Sequence, residues 1–460
     1  MWRLSSNLHA RKLSATGYLQ PSRYESIMFK LSRCGAASKL AAGFLLLVCL
    51  QGIGATALQG PDLERAARTS SYSLEDLIAI ARRDNQALQA VRAQSLAARA
   101  GITSSRAFPN PEIEWMRGPV RPLIAGAPSG TGGQFSIGQR LENPALRAAR
   151  SGAAEAVARG AEIGVRAAEN NLIAAIKVQF FEVLRRQEEV TASSEDVLLT
   201  QQIRDRVAVR VRTGEGARFD LMRADNELAL AQRERERGRG RVAQARAALV
   251  GATGSPLPES FSLNGDFYKS LPQADYRTLR ELAVLANPDL RRAEADVSRA
   301  ERQVEVEQQS LLPSVSLRLS RDDTPDTSSI RAGIALAIPL WDRRRGPVDE
   351  ARAQLLRSKS ESESRRFEQL QGFEAAWHQF QSALGAVRSL ETGILPQARS
   401  IVEVAEAAYR FGERGILEYL DARRQFRLAR NDLITARFEL YVAKTDLERI
   451  AARDIEGVRE

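Results

Sequence analysis

Four polar side chains close together in the sequence have the types needed to link neighbouring helices: Tyr409, Arg414, Glu418 and Asp421. Arginine offers a planar fork of donors and tyrosine a single hydroxyl, whereas the two acids accept hydrogen bonds. Partly exposed links of this kind are each worth about 1 kcal/mol or less, so several together hold helices closed yet let a partner open them. Glu418 and Asp421 also suit the first turn of a helix, where the helix dipole favours acids, so an ordinary structural role stays open.

Residue types that carry covalent or metal chemistry are scarce. The cysteines are Cys34 and Cys49, and the histidines are His9 and His378. The chain after residue 57 therefore offers no thiol nucleophile, disulfide or multi-histidine metal site. It also lacks a G-x-x-x-x-G-K-[ST] phosphate loop, and its many acids make paired carboxylates unspecific. We expect that the protein is not an enzyme and that it has no catalytic residue, no metal site and no cofactor.

The formal net charge of +10 is concentrated near the start of the chain. The first 57 residues hold seven Lys and Arg but one acid, which leaves 60 basic and 56 acidic residues after them. A nearly neutral chain with interspersed charges has no basic footprint for nucleic acid. Most of these charges are typical of solvated helix faces.

Residues 1–57 form a predicted signal peptide. A basic stretch precedes an apolar run at 40–50, and an A-x-A pattern ends at Ala57. The run is about half of the ~20 residues that a membrane-spanning helix needs, so a signal peptide is favoured over an anchor. The true start is predicted at Met28, and Cys49 leaves lipid attachment open, although the bulky residue before it fits a lipidation site poorly.

An internal duplication organises the rest of the chain. The segment 212–220 aligns with 410–418, so that Gly214 matches Gly412 at a separation of 198 residues. The predicted halves span 73–254 and 276–452, with a linker at 255–275. Repeats of this kind are typical of proteins built from one structural unit used twice.

Each half shows the same order of elements. A helix of about 35 residues (73–106; 279–311) is followed by two strands, a very long helix (144–211; 347–410) and a returning helix (220–249; 416–452). The strands are predicted at 111–118, 133–141, 313–321 and 330–340. Alanine-rich apolar seams at heptad-like spacing favour close helix pairing over a thick globular core.

The strands alternate between an apolar face and a small or polar face. They have the length of membrane-spanning strands, and no segment after residue 57 is long and apolar enough for a spanning helix. The predicted lipid-facing residues are Val315, Leu317, Leu319, Ile334, Leu336 and Ile338. Ordinary surface hairpins are the alternative, but two strands per half with open edges cannot stand in lipid alone. Three copies of four strands would close a twelve-stranded barrel.

The sequence resembles the TolC family of outer-membrane efflux proteins over nearly all of the chain after the presequence. The resemblance rests on the duplication, the element order and the tip motifs. The stretches 108–114 (FPNPEIE) and 139–147 (QRLENPALR) are most similar to the CzcC-like, heavy-metal efflux branch. In the second stretch, Ala145-Leu146-Arg147 stands where that branch usually has Gly-Lys-Arg.

The resemblance implies a mainly α fold with a small membrane β part. Three subunits would form a twelve-stranded β-barrel on a periplasmic α-helical barrel. The protein would be the outer-membrane channel of a tripartite efflux system, a passive duct that extends into the periplasm. Its implied partners are a homotrimer, a periplasmic adaptor, an inner-membrane pump of the RND type and outer-membrane lipid. Heavy-metal cations as cargo follow from the branch resemblance alone.

The resemblance also implies roles for single residues. A periplasmic gate would use Tyr409, Arg414, Glu418, Asp421, Asp220 and Phe219. Glu418 replaces the commoner Asp, Asp220 would bond the tyrosine, and the carbonyl of Phe219 would receive the arginine. Three copies of Asp421 around an axis would attract cations. The adaptor would contact the tips, formed by Gly214, Glu215, Gly412 and Glu413.

A periplasmic coiled-coil adaptor or scaffold without a channel is the alternative function. It would explain the signal peptide and the helices. It would not explain four amphipathic strands at equivalent positions of two repeats, and sedimentation with outer or inner membranes would discriminate the two.

Overall fold

A computed structural model describes residues 70–121, 123, 125–258, 261–269, 275–338 and 340–454. The predictions about the signal peptide, the start at Met28 and the lipidation of Cys49 lie outside the described residues. The first half contains β1 (Ser70–Tyr72), α1 (Leu74–Asp84), α2 (Gln86–Arg106), β2 (Glu112–Val120), β3 (Gly130–Leu141), α3 (Pro144–Arg212) and α4 (Arg218–Thr253).

The second half repeats this order. It contains β4 (Phe261–Leu263), α5 (Tyr276–Leu285), α6 (Pro288–Gln309), β5 (Ser314–Asp323), β6 (Ser328–Ala337), α7 (Arg345–Ser389), a π-helical turn (Leu390–Ile394), α8 (Leu395–Arg410) and α9 (Ile416–Ala451). The helices α4 and α9 both have 36 residues, and their first residues are separated by the same 198 positions as the two tip glycines. The described part of the chain holds no helix that is both long and apolar enough to cross a bilayer.

The first helix of each half is broken, which corrects the prediction of one continuous helix. The break is at Asn85 in the first half and at Asn287 in the second. Each asparagine has an extended backbone and accepts hydrogen bonds from the next helix through its side-chain oxygen. Because asparagine bonds its own local backbone in this way, it ends one helix and starts another.

Four strands form one antiparallel sheet in the order β2-β3-β5-β6. The pairs Val315–Leu336 and Leu317–Ile334 place the predicted apolar residues on one face, and Leu317, Leu319, Ile334 and Leu336 are exposed in the single chain. The strand β6 ends at Ala337, so Ile338 lies just outside it, contrary to the prediction that the strand runs to 340. Pro339 follows Ile338, and a residue before proline often closes an element, because proline cannot donate to a ladder.

The predicted linker is partly structured. Its strand β4 pairs in parallel with β1, and Phe261 and Phe267 are buried. They join a core with Leu77, Phe180 and Tyr441 that both halves share. A three-residue strand carries too short a pattern to be read from sequence alone.

The long helix of the second half contains a π-helical turn at Leu390–Ile394, where the sequence predicted a regular helix. The backbone N–H of Leu395 bonds the carbonyl of Leu390, five residues back. Pro396 follows directly, and its missing N–H removes one bond of the regular ladder. The first-half helix α3 has no such interruption over its 69 residues.

Candidate functional site

The two helix-to-helix turns at the end of the long helices have the same geometry. Gly214 and Gly412 adopt left-handed conformations, with φ of +82° and +77°. The N–H groups of residues 215 and 216 bond the carbonyl of residue 210, and those of residues 413 and 414 bond the carbonyl of residue 408. Glycine takes a left-handed turn without steric cost, so these turns reverse the chain tightly. The adjacent Glu215 and Glu413 are exposed.

Tyr409 lies at the end of α8, inside the tip. Its ring stacks on the ring of Tyr419, with centroids 5.9 Å apart and planes at 10°. Tyr419 is buried, and burial raises the pKa of its hydroxyl, with the nearby charge of Glu406 adding to this effect. The tyrosine of the motif is therefore held by its ring against α9.

Arg210 of α3 reaches the same tyrosine from the first half. Its guanidinium carbon lies 4.7 Å from the centroid of the Tyr409 ring. Its Nη1 and Nη2 donate to the carbonyls of Tyr409 and Arg410 at 3.4 and 3.3 Å. Sequence reasoning missed Arg210, because the aligned position 408 is an alanine and only the folding of α3 beside α8 brings it there. Tyr419 was also missed, although an aromatic side chain among the polar residues of the motif was a usable signal.

Arg414 lies in the tip just before α9 and bonds an acid in the first turn of that helix. Its Nη1 lies 2.7 Å from Oε2 of Glu418, four residues on. Both side chains are more than half exposed, so this pair is a weak one. In the isolated chain, the guanidinium of Arg414 is therefore paired with Glu418.

The predicted bonds from Tyr409 and Arg414 to the first half are not made within one chain. Asp220 lies in the first turn of α4, and Phe219 beside it is exposed. Among the described residues, neither Tyr409 nor Arg414 is hydrogen-bonded to Asp220 or to the carbonyl of Phe219. These bonds stay a prediction for contacts between subunits, where helix pairs of two chains meet.

Asp421 faces an open groove between α8 and α9. The groove has a volume of about 770 Å³. It is lined by apolar side chains of α8 and by Arg414, Leu417, Glu418 and Asp421 of the tip and α9, with Arg223 from α4. The structure therefore brings Arg414, Glu418 and Asp421 to one groove, whereas Tyr409 is partly buried between Arg210 and Tyr419.

A small apolar core stabilises the tip region. It is formed by Ile203 and Val207 of α3, Ala224 of α4, Val402 of α8, and Ile416, Tyr419 and Ala422 of α9. Both halves contribute, so the two hairpins pack as one unit in the isolated chain. In the described residues, no group of three or more His, Cys, Asp or Glu side chains is placed to hold a metal ion.

Residues 279–453 match the family model "Outer membrane efflux protein". Over 383 residues, 83% of this chain and 90% of the relative, it is 24% identical to the cobalt-zinc-cadmium resistance protein CzcC of Cupriavidus metallidurans. The chain is therefore similar to outer membrane efflux proteins of the TolC type over most of its length.

Solved structures show the same fold. A crystal structure of CusC, from work on its folding and transmembrane channel formation, aligns with this chain. The TM-score is 0.70 at 19% identity, and the alignment covers 82% of this chain and 91% of CusC. The outer membrane protein VceC of Vibrio cholerae aligns with a TM-score of 0.71 at 16% identity, covering 83% and 96%. Members of this family are trimeric outer-membrane channels of tripartite systems rather than enzymes, and the trimeric barrel is the known form of the fold.

Proposed function

We propose that this efflux duct is closed at its periplasmic end by the α8–α9 tip and is opened there by an adaptor. One observation supports the duct. A four-stranded sheet lies at one end of very long helices, and it has an exposed apolar face and free outer edges on β2 and β6. The 69 residues of α3 span roughly 100 Å. Three copies pair the free edges and remove them from lipid, as a closed barrel requires.

The gate is assigned to the residues of the tip and its groove. In a trimer, Arg414 and Tyr409 would meet Asp220 and the carbonyl of Phe219 across the boundary between subunits. The exposed pair Arg414–Glu418 is weak enough to be exchanged for such a contact without a large loss. Three copies of Asp421 would then line the opening and concentrate cations.

Single-channel recording in planar bilayers tests the gate. Replacing Tyr409 and Arg414 by alanine together should raise the conductance, because both donors of the closed tip are removed. The matched control is Arg357→Ala, since Arg357 makes the same kind of exposed pair with Glu361, at 2.8 Å and four residues apart, but in α7. Wild-type conductance of the double variant would refute the gate assignment and leave the duct assignment untouched.

The partners assigned are a periplasmic adaptor and an inner-membrane pump of the RND type. The exposed tip residues Gly214, Glu215, Gly412 and Glu413 offer the adaptor two nearly identical turns per subunit. A photo-cross-linking residue at position 413 should capture a periplasmic adaptor in cells. Position 361 in α7 is the control, and equal capture at both positions would contradict docking at the tips.

Heavy-metal cations are the proposed cargo. The support is the relative CzcC, whose name describes resistance to cobalt, zinc and cadmium. Deleting the gene should lower resistance to these three cations, and the intact gene should restore it. Unchanged metal resistance with increased sensitivity to organic compounds would reject the metal cargo but not the duct.

A further inference from the structure

Arg210 is the one described side chain of α3 that caps the end of α8. Arg410 is the last residue of α8, and the carbonyl groups at a helix end lack partners within the helix. Arg210 donates to the last two of them, the carbonyls of Tyr409 and Arg410. A cation at this end is favoured, because the helix dipole leaves partial negative charge there.

The same guanidinium lies over the ring of Tyr409, 4.7 Å from its centroid. Tyr409 in turn stacks on the buried Tyr419 of α9. A continuous series of contacts therefore joins α3 to α8 and α8 to α9. One turn earlier, Arg206 of α3 pairs with Glu406 of α8 at 3.3 Å, but the side chain of Arg206 is exposed and that of Glu406 is only partly buried, so this pair adds little.

The arrangement has no counterpart in the other direction. The position equivalent to Arg210 in the second half is Ala408, which carries no donor, and the position equivalent to Tyr409 is Val211. The duplication therefore explains the turns but not this contact. The contact belongs to the boundary between the two hairpins of one subunit.

We propose that Arg210 is a positioning residue that fastens the α8–α9 hairpin to α3 in the closed duct, through the ring of Tyr409 and the last carbonyls of α8. This inference rests on the proposed gate at the α8–α9 tip. Movement of that hairpin away from α3 must break the three contacts of Arg210. The role of Tyr409 within a subunit is then carried by its ring, and its hydroxyl stays available for a neighbouring subunit.

The test is the open-to-closed ratio of the full-length trimer in planar bilayers. Arg210→Ala should raise this ratio roughly 5- to 30-fold, the range expected when a link of modest free energy is lost. Arg212→Ala is the matched control, because Arg212 ends the same helix, is exposed and carries the same charge. Arg210→Lys should give an intermediate ratio, since lysine keeps the charge but not the planar fork.

Two substitutions of the tyrosine separate ring from hydroxyl. Tyr409→Ala should open the duct as Arg210→Ala does, and the double variant should add little, because both remove the same contact. Tyr409→Phe should retain the contact with Arg210. If Tyr409→Phe opens the duct as much as Tyr409→Ala, the hydroxyl carries the effect and the inference is wrong.

The outcomes also distinguish this inference from the gate proposal. If the Tyr409/Arg414 double alanine variant opens the duct while Arg210→Ala stays at the wild-type ratio, the gate stands and the role of Arg210 is refuted. If neither changes the ratio, the gate proposal itself fails. Should Arg210→Ala not assemble into trimers, Arg210→Gln, which keeps much of the length, decides the question by the same comparison.

Discussion

Replacing Asn287 by alanine should destabilise the protein by about 2–4 kcal/mol. The Oδ1 of Asn287 accepts from the backbone N–H of Asp289 and Leu290 at 2.8 and 3.2 Å, and its Nδ2 donates to the carbonyl of Ile450 at 2.9 Å. Loss of the helix cap costs about 1 kcal/mol. The carbonyl of Ile450 lies near the end of α9, where the helix supplies no partner, so leaving it buried without a donor costs a further 1–3 kcal/mol, roughly.

The assay is urea unfolding of the detergent-solubilised protein, followed by circular dichroism. Asn287→Ser retains an oxygen for the cap but not the long donor, so it should recover the cap and lose only the bond to Ile450. Asn431→Ala is the control, because Asn431 is exposed and should change the free energy of unfolding by no more than about 0.5 kcal/mol. If Asn287→Ala is as stable as this control, the hydrogen bond from the asparagine to the end of α9 does not stabilise the fold and the reasoning fails.

Three further substitutions test other parts of the molecule. Leu317→Arg should lower the yield of membrane trimer, since an arginine facing lipid costs about 2–4 kcal/mol at mid-depth, whereas Ala335→Arg on the opposite face should assemble; equal yields would contradict lipid exposure at Leu317. Lys177→Met should cost about 3 kcal/mol at pH 7, because it breaks the buried pair with Glu448 at 2.8 Å, and Lys359→Met, in an exposed pair, should cost little. Burial opposes the charge of Lys177, but Glu448 and Asp454 outweigh burial and raise its pKa. The loss of unfolding free energy in Lys177→Met should therefore persist below about pH 10 and shrink as the pH rises further. A loss that grows with pH would be inconsistent with this pair. Gly265→Ala should lower the melting temperature, because its new Cβ would come within 2.8 Å of the ring of Phe180, whereas Gly251→Ala, in an open place on α4, should raise it by the gain in helix propensity; the opposite order would show that Phe180 moves aside freely.

The parts of the fold that depend on long periodic patterns could be predicted from the sequence. The alternation at 313–321 and the apolar seam of the long helices extend over many residues, so the strands and α3 were predicted within a few residues of their observed bounds. The duplication could be recognised because the turns at Gly214 and Gly412 need a residue that tolerates positive φ. Each of these features depends on residues that are close together in the sequence, so a sequence pattern can reveal it.

The features that sequence reasoning missed depend on contacts between distant segments. The breaks at Asn85 and Asn287 are stabilised by the ends of α4 and α9, more than 160 residues away. The pairing of β1 with β4 joins a segment before the first helix to the linker. Arg210 follows the same rule, since its partners on α8 lie about 200 residues further along the chain. A pattern in one stretch of sequence cannot contain such pairs.

The two halves agree where they must be equivalent and differ where the duct must open. The caps at Asn85 and Asn287 hold both halves in the same way far from the tips, at the ends of α4 and α9. Towards the tips, the described part of the second half carries Tyr409, Arg414 and the π-helical turn before Pro396, whereas the first half supplies Arg210. A π-helical turn is a site where a long helix bends without breaking its remaining bonds. We therefore expect α3 and α4 to stay in place as the fixed wall, and α8 and α9 to swing below the π-helical turn once Arg210 releases Tyr409.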